Sequence, residues 1–120
     1  MERPTLVLGA STDPSRYAHR AAERLLDKGH PVLLIGKRAG EQGGAPIRTS
    51  IPAEAVVDTV TLYINPLDQE QWHDRILKLS PRRIIFNPGT EHAAFAQRAA
   101  DQGIEVVHGC TLVMLATDQY

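Results

Sequence analysis

The stretch Pro4–Arg16, PTLVLGASTDPSR, determines the fold that we predict for this chain. PTLVL has the short apolar run of a buried strand, and GASTDPSR leads from it into a helical pattern. Where a strand turns into a helix, backbone N–H groups and the positive end of the helix dipole face one point, which favours an anion there. Ser11, Thr12 and Arg16 add hydroxyl and guanidinium donors. We therefore interpret this segment as a phosphate-binding turn.

The glycine pattern of this first turn leaves a plainer interpretation open. A dinucleotide fingerprint, Gly-x-Gly-x-x-Gly, would place glycines at positions 9, 11 and 14. Ser11 and Pro14 stand at two of these positions, so only Gly9 fits the pattern. An ordinary strand–helix turn without a ligand explains these residues equally well.

A second turn, Gly36-Lys37-Arg38, follows the apolar run Val32–Ile35. Units that bind the ribose diol of a dinucleotide usually place an acidic residue there, whereas a basic residue suits a phosphorylated ribose. Lys37 and Arg38 are also what a solvated surface loop contains. Together the two turns predict a nucleotide with a pyrophosphate and a further phosphate on its ribose.

The composition bounds the class of protein. The chain has 120 residues, 42% hydrophobic and 22% charged, which predicts one packed domain over residues 1–120. A net charge of -1 argues against general nucleic-acid binding, and no apolar run approaches the roughly 20 residues of a membrane span. The single cysteine, Cys110, excludes an intrachain disulfide, and no signal peptide is visible in Met1–Pro4. We expect a cytoplasmic protein.

Strand-like runs alternate with helical patterns along the chain. The predicted strands are Thr5–Leu8, Pro31–Ile35, Asp58–Ile64, Arg83–Phe86 and Ile104–Val107. We expect Asp13 to cap the first helix, with Pro14 in its first turn, and Thr90 to cap the third. Helices are also predicted over Leu67–Leu79 and Thr111–Thr117, and a long loop over Gly36–Pro52. For the short apolar run Thr111–Thr117, periodicity alone also allows a strand.

Five strands joined by helical crossovers predict a parallel sheet with helices on both faces. Ligands of such sheets bind outside the carboxyl ends of the strands. Residues 9–17, 36–38, 64–66, 87–90 and 108–111 would gather at that edge. The turns Asn65-Pro66 and Asn87-Pro88-Gly89 are therefore candidates for ligand contact, although Asn, Pro and Gly also favour turns for conformational reasons.

His108-Gly109-Cys110 is the one candidate for covalent catalysis. A thiol beside an imidazole can act as a nucleophile, but adjacency in sequence does not establish a contact, and no third orienting group is identifiable. We predict a packing or ligand-contact role for Cys110 and no catalytic residue. The five histidines show no close metal-ligand spacing, so we predict no metal site.

Five segments, together with the basic loop, carry a resemblance to a known family. They are LVLGAS (6–11), LLDKGH (25–30), DTVTLYINP (58–66), RIIFNPGTE (83–91) and GCTLVML (109–115). The chain resembles the small single-domain CoA-binding domain proteins, relatives of the CoA-binding domain of succinyl-CoA synthetase α subunits. The resemblance implies a Rossmann-like three-layer α/β sandwich with a five-stranded parallel sheet, in the strand order 3-2-1-4-5.

The resemblance also implies roles for individual residues. The first turn would meet the pyrophosphate region, Lys37 the phosphorylated ADP part, and the residues after the third strand would border the ligand. Asn87 and Gly89 would lie further along the crevice, and Tyr17 would contact the ligand or pack in the core. The implied cofactor-binding residues are Gly9, Ala10, Ser11, Arg16, Tyr17, Lys37, Ile64, Asn65, Pro66, Asn87 and Gly89.

We expect this chain to bind coenzyme A (CoA) or an acyl-CoA, and the sequence assigns no reaction to it. The larger synthetases carry a phosphorylated histidine on a second domain, which the resemblance does not extend to here. Two alternatives stay open at this point. One is an NADP-type dinucleotide binder or oxidoreductase, and the other is a regulatory module that senses an acyl-CoA for a protein partner.

Overall fold

The structure, a computed structural model, describes residues 2–120; Met1, where the predicted domain begins, lies outside the described residues. The strands are β1 (Thr5–Leu8), β2 (Val32–Ile35), β3 (Gly40–Gln42), β4 (Ala45–Arg48), β5 (Thr59–Leu62), β6 (Arg83–Phe86) and β7 (Glu105–His108). The helices are α1 (Tyr17–Asp27), α2 (Pro66–Gln69), α3 (His73–Leu79), α4 (Ala93–Asp101) and α5 (Thr111–Ala116), with a 3₁₀ turn, Glu70–Trp72, between α2 and α3.

The described strands form one sheet in the order β3-β4-β2-β1-β5-β6-β7. Neighbouring strands are parallel in every pair except β3–β4, which is antiparallel. The predicted Rossmann-like α/β class is confirmed, but the prediction of five parallel strands is wrong. The predicted loop Gly36–Pro52 contains the β3–β4 hairpin, whose connection is Gly43-Gly44. Both glycines have positive φ, 59° and 83°, as two-residue hairpin loops of the favoured twist require.

The predicted strand order, 3-2-1-4-5, is also wrong. The third predicted strand, now β5, pairs with β1 on the side opposite β2, because β4 occupies the outer side of β2 through the pair Leu34↔Ile47. The five predicted strands therefore run 2-1-3-4-5. In this order the chain changes direction across the sheet beside β1, and a crevice opens between the carboxyl ends of β1 and β5.

Apolar side chains cover both faces of the sheet because residues alternate along each strand. Leu6 and Leu8 point to the face covered by α3 and α4, where Ile76 and Phe95 are fully buried. Val7 points to the opposite face, covered by α1 and α5. Ala18, Ala21, Ala22 and Leu25 form the buried stripe of α1. The two apolar layers fix the sheet between its helices and leave the strand ends free to carry a site.

Two helix starts differ from the prediction. Helix α1 begins at Tyr17 with Arg16 as its N-cap, because Asp13 accepts hydrogen bonds from the main chain and hydroxyl of Ser15 in a separate turn. Helix α4 is capped by His92, whose Nδ1 accepts from Phe95 N. Thr90 is buried instead, and its hydroxyl donates to the Asn87 carbonyl.

The other helix predictions are closer to the structure. The closing helix is confirmed as α5, whereas the helix predicted over Leu67–Leu79 is divided by the 3₁₀ turn into α2 and α3. Within residues 2–120, each helix is too short or too polar to cross a membrane.

Candidate functional site

A cleft of about 840 Å³ lies at the carboxyl edge of the sheet, beside the crevice between β1 and β5. The turns after β1, β2 and β5 form its walls, together with the first turn of α1 and the segment that follows β6. Its lining residues are Gly9, Ala10, Ser11, Thr12, Asp13, Arg16, Tyr17, Ala18, Lys37, Arg38, Ala39, Tyr63, Ile64, Asn65, Asp68, Pro88 and Thr90.

A second cavity, of about 250 Å³, adjoins the cleft and shares Gly9, Lys37, Ile64 and Asp68 with it. Most of its wall is apolar. The other lining residues are Leu8, Ile35, Gly36, Thr49, Gln71 and Trp72. The two spaces therefore form one site: a wide polar cleft joined to a small apolar recess, with Lys37 at their junction.

The first turn presents fewer backbone donors than its sequence predicts. The N–H groups of Gly9 and Ala10 both donate to the Ile35 carbonyl, at 2.8 and 2.9 Å, and are therefore directed to β2. Within residues 2–120, the N–H groups of Ser11 and Thr12 have no acceptor. These two are the main-chain donors that the turn can offer to an anion.

The amino end of α1 supplies further donors to the cleft. Its first intrahelical bond runs from Arg20 N to Arg16 O, so the N–H groups of Tyr17, Ala18 and His19 precede the ladder. The Arg16 side chain makes no cap, and Arg16, Tyr17 and Ala18 line the cleft. The positive end of an eleven-residue helix thus faces the site, which favours an anion there.

Three cationic side chains and two carboxylates line the same cleft. Arg16, Lys37 and Arg38 are exposed, and the Arg16 guanidinium lies 3.9 Å from Asp13. Hydrogen bonds from Ser15 hold the pKa of Asp13 below its usual value, so this carboxylate is ionised at neutral pH. With the helix dipole added, the cleft is positive near the first two turns.

The first two turns approach each other closely at Gly36. A Cβ atom built at this position would lie 2.4 Å from the Ala10 carbonyl oxygen, a contact that the backbone does not allow. Glycine at position 36 therefore lets the first turn and the basic turn lie side by side in one site.

His19 supports the first turn from α1, because its Nδ1 donates to the Ser11 carbonyl at 2.9 Å.

Asn87 lies beneath the cleft, although the sequence predicts a ligand contact for it. The residue is 2% exposed, and its Nδ2 donates to Thr61 Oγ1 at 2.7 Å and to the Leu62 carbonyl at 2.9 Å. Its Oδ1 accepts from Thr111 N at 2.9 Å. The amide thus connects β5 to the start of α5, and both of its N–H groups are occupied.

Asn65 caps α2, which explains the Asn65-Pro66 turn in structural terms. Its Oδ1 accepts from Asp68 N at 2.9 Å, its Nδ2 donates to the Asp68 carboxylate at 2.8 Å, and Pro66 begins the helix. Asn65 and Asp68 nevertheless both line the cleft. Gly89 does not, and its N–H donates to Glu91.

The structure brings eight of the predicted site residues together around the cleft. These are Gly9, Ala10, Ser11, Arg16, Tyr17, Lys37, Ile64 and Asn65. Pro66, Asn87 and Gly89 lie outside its lining. Contact between any of these residues and a ligand stays a prediction.

Sequence reasoning missed several lining residues, among them Tyr63, Asp68 and Trp72, whereas it placed Arg38 and Thr90 at this edge without assigning them a ligand contact. Asn65 and Asp68 have the Asn-x-x-Asp spacing that is typical of a helix start, and this spacing places Asp68 beside Asn65. Tyr63 carries no such signal. Burial raises its pKa to about 12, so its hydroxyl stays protonated at neutral pH.

Cys110 lines neither of these spaces. It is half-buried between β7 and α5, and the ring of the nearby His108 stacks on Phe86 with 5.2 Å between centroids. Within residues 2–120, no group of three or more His, Cys, Asp or Glu side chains is placed to hold a metal ion.

We predict that Cys110→Ser retains the affinity for CoA, because the thiol lies outside the lining of the cleft. The protein should release no free CoA from acetyl- or succinyl-CoA above background, measured as CoA thiol by chromatography. Turnover that disappears in Cys110→Ser with unchanged CoA affinity would contradict this prediction and make Cys110 a nucleophile.

Comparison with solved structures places this fold among several similar proteins. An uncharacterized protein of known crystal structure is 46% identical, with a TM-score of 0.96 over 100% of this chain and 99% of that chain. The protein cell-free ID.343 from Thermus thermophilus is 26% identical, with a TM-score of 0.86 over 98% of this chain and 90% of that one.

A larger protein contains the same fold. It is acetyl-coenzyme A synthetase 1 from Ca. Korarchaeum cryptofilum, solved in complex with phosphate and ADP. The match covers 89% of this chain and 25% of that one, with 21% identity and a TM-score of 0.73, which shows similarity of fold alone. Among proteins of curated function, none matches significantly.

The family relation rests on the sequence as a whole. A family model described as a CoA binding domain matches residues 3–116. Because this match covers nearly all of the chain, including every turn that lines the cleft, the protein belongs to the CoA binding domain family.

Proposed function

We propose that this protein binds CoA or an acyl-CoA in the cleft at the carboxyl edge of its sheet. One observation carries the proposal: in a member of the CoA binding domain family, a cationic cleft adjoins an apolar recess and Lys37 lines both. CoA combines the matching parts, since it has a flat base, a phosphorylated ribose and a pyrophosphate in series.

The pyrophosphate is assigned to the first turn and the start of α1. Ser11 and Thr12 supply N–H groups without acceptors inside residues 2–120, and the helix supplies its positive end. Arg16 can add a forked contact to two phosphate oxygens once it leaves the weak ion pair with Asp13.

The adenine ring is assigned to the smaller cavity. Ile35, Ile64 and Trp72 offer apolar and aromatic surface to a flat ring, and Thr49, Asp68 and Gln71 offer polar atoms to its edge. Lys37, at the junction of the two spaces, would then lie next to the ribose between ring and pyrophosphate. This position suits recognition of the 3′-phosphate that distinguishes CoA from dephospho-CoA.

The pantetheine arm is assigned to the remaining part of the large cleft, toward Tyr17, Asn65, Pro88 and Thr90. We propose a single domain over residues 1–120 and a cytoplasmic location, and we assign no reaction to the cleft. The continuous sheet from β1 to β7 supports the single domain.

Native mass spectrometry of the protein purified without added ligand tests the proposal. We expect a bound species with the mass of CoA or an acyl-CoA that dissociates when the protein is denatured. A reductant must be present, because CoA can also form a disulfide with Cys110. Retention of NADP(H) instead, or no retained ligand combined with no CoA binding by calorimetry, would contradict it.

A further inference from the structure

The side-chain amide of Gln69 connects two walls of the cleft. Gln69 is fully buried at the end of α2, and its Nε2 donates to the Ile64 carbonyl at 3.1 Å and to the Thr90 carbonyl at 2.9 Å. Ile64 and Thr90 both line the cleft. They belong to turns after β5 and β6, outside any strand or helix. One buried side chain therefore bridges the two turns.

His73 fixes the orientation of this amide. Its Nε2 lies 2.9 Å from Gln69 Oε1, and since a carboxamide oxygen only accepts, His73 Nε2 carries the hydrogen. The imidazole stacks on Phe95 with 3.7 Å between centroids, so its position is itself held by the core. The amide nitrogen of Gln69 consequently faces the two carbonyls and its oxygen faces His73.

We propose that Gln69 is a positioning residue for CoA binding, which sets the spacing between the wall after β5 and the wall after β6. The inference rests on the proposed function. Without the amide, the Ile64 and Thr90 carbonyls and the His73 imidazole N–H would lose their partner, and the turns would relax to recover water contacts. The cleft would then lose the shape that holds the ligand between Ile64 and Thr90.

The charged groups around this pair also bear on the design of a test. His92, the N-cap of α4, and Arg98 within α4 face His73, and Glu70 and Asp74 are on its own segment. Burial, with His92 and Arg98, lowers the pKa of His73 to about 4. In the wild-type protein His73 thus stays neutral above pH 5, and the Gln69–His73 pair does not titrate in that range.

Two substitutions separate positioning from general stability. Gln69→Met keeps the length of the side chain but removes its hydrogen bonds, and it should weaken CoA binding about tenfold relative to wild type at both pH 5.5 and pH 8.5.

Gln69→Glu places a carboxylate oxygen against two carbonyl oxygens when it is ionised. Protonation of the introduced carboxylate restores one hydrogen-bond donor. The loss of CoA affinity in Gln69→Glu, relative to wild type, should therefore be smaller at pH 5.5 than at pH 8.5. The same shrinkage is expected in Gln69→Glu/His73→Phe, where the imidazole cannot take the proton.

Gln102→Met is the matched control for calorimetry of these variants. Gln102 also donates its Nε2 to a main-chain carbonyl, that of Leu77 at 2.8 Å, but it lies outside the lining of the cleft. CoA affinity in Gln102→Met should equal that of wild type. Equal losses at positions 69 and 102, or no loss at position 69, would overturn the inference while leaving the proposed function intact.

A measurement on the wild-type protein covers the case in which position 69 tolerates no substitution. By NMR, hydrogen exchange of the Gln69 side-chain amide should slow by at least about tenfold when CoA saturates the protein, since ligand binding to the native cleft suppresses local opening. Unchanged exchange would overturn the inference. Absence of CoA binding by the wild-type protein would instead refute the proposed function, and this inference with it.

Discussion

Replacing Asn87 with alanine is expected to lower the free energy of unfolding by about 3 kcal/mol. The substitution removes three hydrogen bonds and leaves Thr111 N and the Leu62 carbonyl buried without their partner. An unsatisfied buried polar group costs about 1–3 kcal/mol, and partial relaxation of α5 keeps the total below the sum. Urea unfolding, followed by circular dichroism, measures the change.

Asn65→Ala is the matched control for that measurement. Asn65 is an exposed N-cap at the same edge of the sheet, and loss of such a cap costs about 1 kcal/mol. A loss in Asn87→Ala no greater than in Asn65→Ala would show that the buried amide does not hold β5 to α5. The interpretation of Asn87 as a structural residue beneath the cleft would then be wrong.

Lys37→Ala is expected to weaken CoA binding by about ten- to hundredfold at low salt, because a hydrogen bond to a charged group contributes about 1.5–3 kcal/mol. Binding of dephospho-CoA should change little, since it lacks the phosphate that we assign to Lys37. The difference between the two ligands should shrink as salt rises and screens the exposed pair. Isothermal titration calorimetry measures the affinities of the wild type and of Lys37→Ala for both ligands at each of two salt concentrations.

Lys28→Ala controls for loss of a positive charge elsewhere. Lys28 lies at the opposite end of α1 from the cleft, where it pairs with Asp118 at 3.4 Å. Its removal should leave both affinities unchanged. If Lys37→Ala weakens CoA and dephospho-CoA equally, Lys37 contacts the pyrophosphate or supports the loop, and the assignment of the 3′-phosphate fails.

The sequence predicts the α/β class because β1, β2, β5 and β6 are rich in apolar and β-branched residues and alternate with helical patterns. It does not reveal the hairpin in the same way. β3 and β4 are short and largely exposed, so they lack the apolar alternation that marks a buried strand. Gly43-Gly44 is the one local signal for their turn. Because β4 occupies the position beside β2, missing the hairpin also gives the wrong strand order.

The candidate site was predictable in outline because the carboxyl ends of parallel strands meet at one edge. The direction of individual polar groups was not, since it depends on partners far away in the chain. The Asn87 side chain accepts a hydrogen bond from Thr111 N, and the main-chain N–H groups of Gly9 and Ala10 donate to the carbonyl of Ile35. An Asn or Gly after a strand has the same local sequence whether it faces a ligand or the protein.

The most direct test of the central claim compares CoA, dephospho-CoA and NADPH by calorimetry with the wild-type protein under one set of conditions. The assignment of Lys37 to a 3′-phosphate predicts that CoA binds about ten- to hundredfold more tightly than dephospho-CoA. The cleft extends from the apolar recess to Pro88 and Thr90, the part that we assign to the pantetheine arm of CoA. We therefore predict that NADPH binds more weakly than CoA. Equal affinity for CoA and dephospho-CoA would remove the phosphate assignment, and tighter binding of NADPH would contradict CoA as the ligand.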